Sequence, residues 1–228
     1  MEVLNATYLF EDSNKERVWP ASAESFWTTL FSLFILHLSN GTAPRGKLTI
    51  WHCTDGPKAP WYVPRSKEKL EFKNVTFDDI TVEPYGLCRP FLCTNETLTA
   101  EAGGFSPDIV VRSRSKNRDH FVIIENKVTS GSHLAPNQIE NYPCLMKWLS
   151  ERKISFDFLI LQSVGCCDAL AEQTRFLQKE WQRHFGILLW EEVLREMKRT
   201  NFLLTGVPID RWERYSKALD TDCSRRKA

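Results

Sequence analysis

Residues 156 to 163, FDFLILQS, form an apolar run of strand length, and a strand of that character is buried on both faces. That requirement limits the fold more than any other feature of the chain. Helical spacing covers Pro136 to Glu151 before the run, and a helix is expected over about Asp168 to Phe185 after it. A short strand, GILLW at 186 to 190, and a helix, EEVLREMKR, come next. Strand and helix alternate here after a β-rich middle, which predicts an α/β class with a mixed sheet.

The earlier half adds a helix and a hairpin. Ser22 is a good N-cap and Asn40-Gly41 a good stop, so the spacing of Phe26, Leu30, Leu33, Phe34 and Leu38 predicts a buried helix from Ser22 to Ser39. Between Lys47 and Cys93, LTIWHC, KLEFKNV and DITVEPYGL read as short strands between Pro and Gly breaks. A strand from about Asp108 to Arg114, a polar loop SRSKNRD and a strand HFVIIENKV from His120 to Val128 form a hairpin with a long basic loop. Pro208 can open a last helix through Leu219, ahead of a frayed tail. No linker divides the chain. The expected organisation is an N-terminal extension over 1–21, one domain over 22–220 and a tail over 221–228.

Charge and cysteine content exclude several classes. Lys and Arg number 30 against 29 Asp and Glu, so the chain lacks the overall basic coat of a histone-like protein, although a local stripe would be enough to hold phosphates. The first residues lack the basic head and apolar run of a signal peptide, and the stretch Phe26 to Leu38 is too short to span a bilayer. The expectation is a cytoplasmic protein without membrane contact, nuclear if the source is eukaryotic. The Asn-x-Thr sequons at Asn5, Asn40, Asn74 and Asn95 are then chance. The 7 cysteines are irregularly spaced and read as reduced thiols, with Cys88 and Cys93 the one pair that could ligate a metal.

The chemistry gathers on the hairpin. Glu125 and Lys127 are two apart on a strand and leave the same face of the sheet. Asp108 begins the neighbouring strand, where an antiparallel partner beside Glu125 would bring two carboxylates within reach of one ion. Paired hard oxygen ligands suit Mg²⁺, with Mn²⁺ as a substitute. Such an ion would bind a phosphodiester oxygen and activate water, and Lys127 would orient that water or offset charge at phosphorus. A Glu-x-Lys on a strand is by itself most often a solvated ion pair.

Its company alters that judgement. Pro107-Asp108, the hairpin and Glu125-Asn126-Lys127, followed by Gln138 and Tyr142 at Q-x-x-x-Y spacing, resemble the PD-(D/E)XK nuclease superfamily, which includes restriction enzymes and RecB-type exonuclease domains. The resemblance spans roughly residues 22 to 200. It implies a restriction-endonuclease-like core, a central mixed sheet flanked by helices. It implies a metal-dependent nuclease acting on nucleic acid, DNA before RNA, with Mg²⁺ as cofactor. By it Asp108, Glu125 and the backbone carbonyl of Asn126 are metal ligands, Glu24 at the start of the first helix joins them, and Lys127 is the catalytic lysine. Gln138 and Tyr142 support the site or touch the nucleic acid. Their structural alternative is an amphipathic helix with Tyr142 in the core and Gln138 on its rim. Pro143 departs from the pattern and implies either a kink or a short first helix.

Arg112, Arg114, Lys116 and Arg118 make the hairpin basic, either as a phosphate-contacting ridge or as a solvated loop. His120 and His133 flank the strand of Glu125, and the 8 Trp could include a platform for base stacking. Many related nucleases pair two active sites, which leaves a homodimer open. The competing reading is a catalytically inactive nuclease-fold module that binds nucleic acid or serves a structural role.

Overall fold

The run that begins at Phe156 is a central strand with helices over both of its faces. The computed structural model describes residues 24–39, 47–54, 61–72, 75–76, 79–82, 107–115, 118–127, 134–164 and 168–202. In chain order these form α1 (Glu24–Ser39), β1 (Trp51–Thr54), β2 (Trp61–Pro64), β3 (Ile80–Val82), β4 (Ile109–Ser115) and β5 (Arg118–Lys127). They continue with α2 (Pro136–Glu151), β6 (Ser155–Gln162), α3 (Asp168–Trp181), β7 (Phe185–Leu189) and α4 (Trp190–Arg199). The seven strands make one mixed sheet in the order β2-β1-β7-β6-β5-β4-β3. β5, β6 and β7 run parallel, while β4 and β3 on one side and β1 and β2 on the other join antiparallel.

Period-two alternation sorts the strand side chains into two cores. Ile109, Val111, Val122, Ile124, Leu159, Leu161 and Leu188 pack with Phe31 and Phe34 of α1 and Trp190 and Met197 of α4. Val110, Ile123, Phe158, Ile160, Ile187 and Leu189 pack with Tyr142 and Met146 of α2 and Leu170 and Leu177 of α3. Both faces of the central strands are apolar because both are covered.

Several expectations change. The hairpin has no long basic loop: Ser115 pairs with Arg118, which leaves two residues for the turn. Arg112 and Asp119 form a diagonal cross-strand ion pair of 2.7 Å there, where apolar partners run out. Among the described residues of KLEFKNV, Leu70 alone bridges, to Leu48, and Leu70, Phe72 and Val75 enter the core. The edge strand β2 ends on Pro64, a residue that an edge tolerates and that hides a strand from pattern reading. α2 runs unbroken through Pro143, since the packing of Tyr142, Leu145 and Met146 into the core outweighs one missing N–H donor. Residues 1–21, the region of Cys88 and Cys93, His133, and the helix expected over 208–219 lie outside the described residues.

Two features away from Glu125 can be tested. A Cβ at Gly186 would meet Ile50 Cγ2 at 2.2 Å and Leu159 Cδ2 at 3.3 Å, so glycine is what lets Ile50 close onto β7. Gly186→Ala should therefore cost about 1–3 kcal/mol through overpacking, read as a lowered denaturant midpoint; an unchanged midpoint would show that Ile50 moves aside freely. Asp157 on β6 meets Arg65 at 2.7 Å and His120 Nε2 at 3.1 Å. Burial pushes its carboxyl up, but the hydrogen bond with His120 and the Arg65 guanidinium outweigh that and hold it below its ordinary value. The stability it contributes is present above about pH 4 and is lost as pH falls through the lowered folded value. Asp157→Asn should lose stability at neutral pH and show a flatter acid limb in urea melts run at successive pH values.

Candidate active site

The hairpin register sets the site. Ile109 pairs with Ile124, so Asp108, one residue before β4, stands opposite Glu125, and residues opposite each other share a face. Lys127 is two further along β5 on that face. Register thus puts the two carboxylates and the ammonium on one face where β5 leaves the core. The Nζ of Lys127 lies 2.6 Å from Glu125 Oε1, with Glu125 2% and Lys127 8% exposed.

Asp108 is held by the main chain. Its Oδ2 accepts a 2.6 Å hydrogen bond from the backbone N–H of Asn126, taking the part of a ladder acceptor just before β4 begins. In a strand the N–H and C=O of one residue point to the same side, so the Asn126 carbonyl also faces Asp108. The Asn126 side chain leaves the opposite face and is fully buried. Its Nδ2 donates to Thr28 Oγ1 at 3.0 Å, and its Oδ1 accepts from Trp190 Nε1 at 3.1 Å. One amide therefore fastens the end of β5 to both α1 and α4. Reading the sequence assigned Asn126 only a carbonyl; a buried amide is visible as a fastener only once its two partners, distant in sequence, are known.

Gln138 is the third residue of α2 and uses both ends of its amide. Oε1 accepts from the backbone N–H of Ala135 at 2.9 Å, as the third-position glutamine of a capping box does, and Nε2 donates to Glu125 Oε1 at 2.6 Å. The start of the helix and the orientation of the carboxylate are set by one side chain. Tyr142, one turn later, is fully buried with its ring 4.6 Å from Phe158. It holds α2 to the sheet while Gln138 sits at the site, which is the core-and-rim arrangement of an amphipathic helix.

Glu125 now has an uneven environment. Oε1 is shared by Lys127 and Gln138, whereas Oε2 is buried with no hydrogen-bond partner. A buried carboxylate oxygen left so costs about 1–3 kcal/mol or more. A divalent cation is a fitting partner for it: Asp108, Glu125 Oε2 and the Asn126 carbonyl are all hard oxygens, the donor set that Mg²⁺ and Mn²⁺ accept. Among the described residues no cluster of three or more His, Cys, Asp or Glu side chains is gathered for a metal. The set proposed by sequence needs two carboxylates and a main-chain oxygen, with Glu24 as an addition. Glu24 begins α1, on the face opposite Glu125, one turn before Thr28; its side chain lies outside the described residues.

Of the basic hairpin residues, the structure describes the side chain of Arg112 alone. Along β4, Arg112 is about 13 Å and Arg114 about 20 Å from Asp108 at strand spacing, and Arg112 is paired with Asp119, which raises its pKa. The side chains of Arg114 and Arg118, and the whole of Lys116, lie outside the described residues. His120 belongs to the Asp157 cluster, five residues up β5 from Glu125 and on the other face. Missed by sequence was Gln162, fully buried, which pairs in register with Lys127 and donates to the Tyr62 hydroxyl at 3.0 Å. A lone Gln ending an apolar strand gives that position no signal. Among the described residues no helix is long and apolar enough to cross a membrane.

Compared with known proteins, the chain matches no family model, no curated protein and no solved structure.

Proposed function

We propose that this protein is a divalent-metal-dependent nuclease with a restriction-endonuclease-like core, hydrolysing phosphodiester bonds of nucleic acid, DNA before RNA. The observation that carries the reading is Glu125: a carboxylate buried at the end of a central strand, one oxygen oriented by Lys127 and Gln138, the other without a hydrogen-bond partner. Asp108, Glu125 and the Asn126 carbonyl would hold the cation, which when bound would supply Lewis-acid stabilisation of phosphoryl oxygens and lower the pKa of a water.

The chain's own residues do the rest. Gln138 fixes the rotamer of Glu125, and the Asn126 N–H fixes that of Asp108, so both carboxylates are oriented before substrate arrives. Lys127, buried beside them, places a positive charge where negative charge grows at phosphorus and can hold the attacking water. Water adds to phosphorus, the bond to the leaving sugar oxygen breaks, and that oxygen takes up a proton. The sheet beneath is anchored by Asn126, Thr28 and Trp190, which keeps this geometry off a flexible loop.

The inactive module is the second reading, and the closed Lys127–Glu125 contact favours it: two buried charges that satisfy each other can serve as a lock. Two measurements separate the readings. With Mg²⁺ or Mn²⁺ at about 100 times its dissociation constant, the melting temperature of a site that binds it should rise by roughly 5–10 °C, and Glu125→Gln should remove the rise. Incubation with circular and linear, single- and double-stranded DNA and with RNA should give cleavage that EDTA stops. Lys127→Ala should lower kcat by about 10²–10³-fold with substrate binding kept, circular dichroism confirming that the variant folds. A metal-induced rise without cleavage of any substrate would support the inactive module; neither a rise nor cleavage would sink the nuclease reading.

A further inference from the structure

A cleft of about 680 Å³ opens between Thr49, Trp51, Pro64, Ser66, Lys67 and Lys69. We infer that this cleft is the subsite for a single-stranded segment of the substrate, one unpaired base lying on Trp51 and Pro64 with the neighbouring phosphates on Lys67 and Lys69. The inference rests on the nuclease reading and adds the substrate class to it.

Its position follows from register. Lys127, Gln162 and Leu189 form one row across β5, β6 and β7. Trp51, on the next strand, pairs with Ile187, two residues from the end of that row. Three strand spacings and a two-residue offset separate Lys127 from Trp51, about 16 Å, a distance that one strand of nucleic acid bridges within a few nucleotides. Trp51 also packs against the core layer that holds Tyr142 and Phe158, so the cleft and the Glu125–Lys127 pair belong to the same face and the same end of the sheet.

Its chemistry fits an unpaired nucleotide. The volume is that of a small-ligand site. Trp51 is held by its edge, Nε1 donating to Glu192 Oε2 at 2.8 Å, and the other Glu192 oxygen accepts from Thr49 Oγ1 at 2.7 Å. The Glu192 carboxylate is thereby committed to the protein, and Glu196, near Lys69, is held by Arg199. Lys67 and Lys69 are both exposed, and cations beside an aromatic platform are what backbone and base of a single strand require. A paired base is already stacked and cannot enter such a cleft, so the duplex is disfavoured unless its end frays.

The test measures binding by the full chain, in EDTA, of a fluorescein-labelled 20-nucleotide single strand and of its duplex. Wild type should bind the single strand more tightly. Lys67→Glu with Lys69→Glu should weaken single-strand binding at least about tenfold at low salt and reduce the slope of log K against log salt by about 1.4, two phosphate contacts' worth. Lys179→Glu with Lys198→Glu, the same charge change on exposed positions of α3 and α4, should keep the wild-type slope. If wild type binds or cleaves but the cleft variant keeps its affinity and slope, the cleft is overturned and the nuclease reading stands. Equal loss on single strand and duplex overturns the single-strand assignment. Wild type that neither binds nor cleaves overturns both.

Discussion

Everything at this site depends on a charge that the fold has buried. β5 carries Phe121 and Ile123 to one core and Val122 and Ile124 to the other, and its next residue on the first face is Glu125. A carboxylate in that position is unfavourable unless its surroundings answer it. The answer comes from three directions: Lys127 from the same strand, Gln138 from α2 and, for the strand end itself, Asn126 tied to α1 and α4. Three of the four helices, α1, α2 and α4, are thus tied to the Glu-Asn-Lys tripeptide by a hydrogen bond to Glu125 or to Asn126. The fold and the site are one construction here, because the residues that terminate the strand also dock the helices.

How much of this the sequence disclosed follows from the range of each interaction. β6, β7, α2 and α4 were legible because their signal is local, an apolar run or a helical period that burial on the observed faces reproduces. Glu125 and Lys127 on one face follow from strand geometry, and Asp108 opposite Glu125 from hairpin register. The failures have a common cause in long-range partners. β2 is short and bounded by proline, and it exists because β1 needs an edge partner. The stretch from Lys69 to Val75 looks like a strand, yet Leu70 and Phe72 are there to fill the core over α1. The hairpin tip reads as a loop because it is polar, yet it is paired and carries a cross-strand ion pair. Gln138 and Tyr142 share a spacing motif, but that motif does not say that one amide would cap a helix and hold a carboxylate while the phenol ring became core.

Two carboxylates on the central strands, Glu125 and the partly buried Asp157, make the functional argument by contrast. Asp157 lies on β6, on the other face, and its charge is fully answered within the chain: Arg65 meets one oxygen, His120 the other, and Ser155 orients His120 in turn. Its carboxyl is correspondingly held low. Glu125 is buried more deeply, yet its two close partners, Lys127 and Gln138, both meet Oε1 and leave Oε2 unanswered. Structural charge in a protein interior tends toward closure, since each unmet oxygen costs stability and returns nothing. An oxygen left open at the mouth of a strand, with a lysine and a second carboxylate beside it, is the kind of deficit that a ligand makes good.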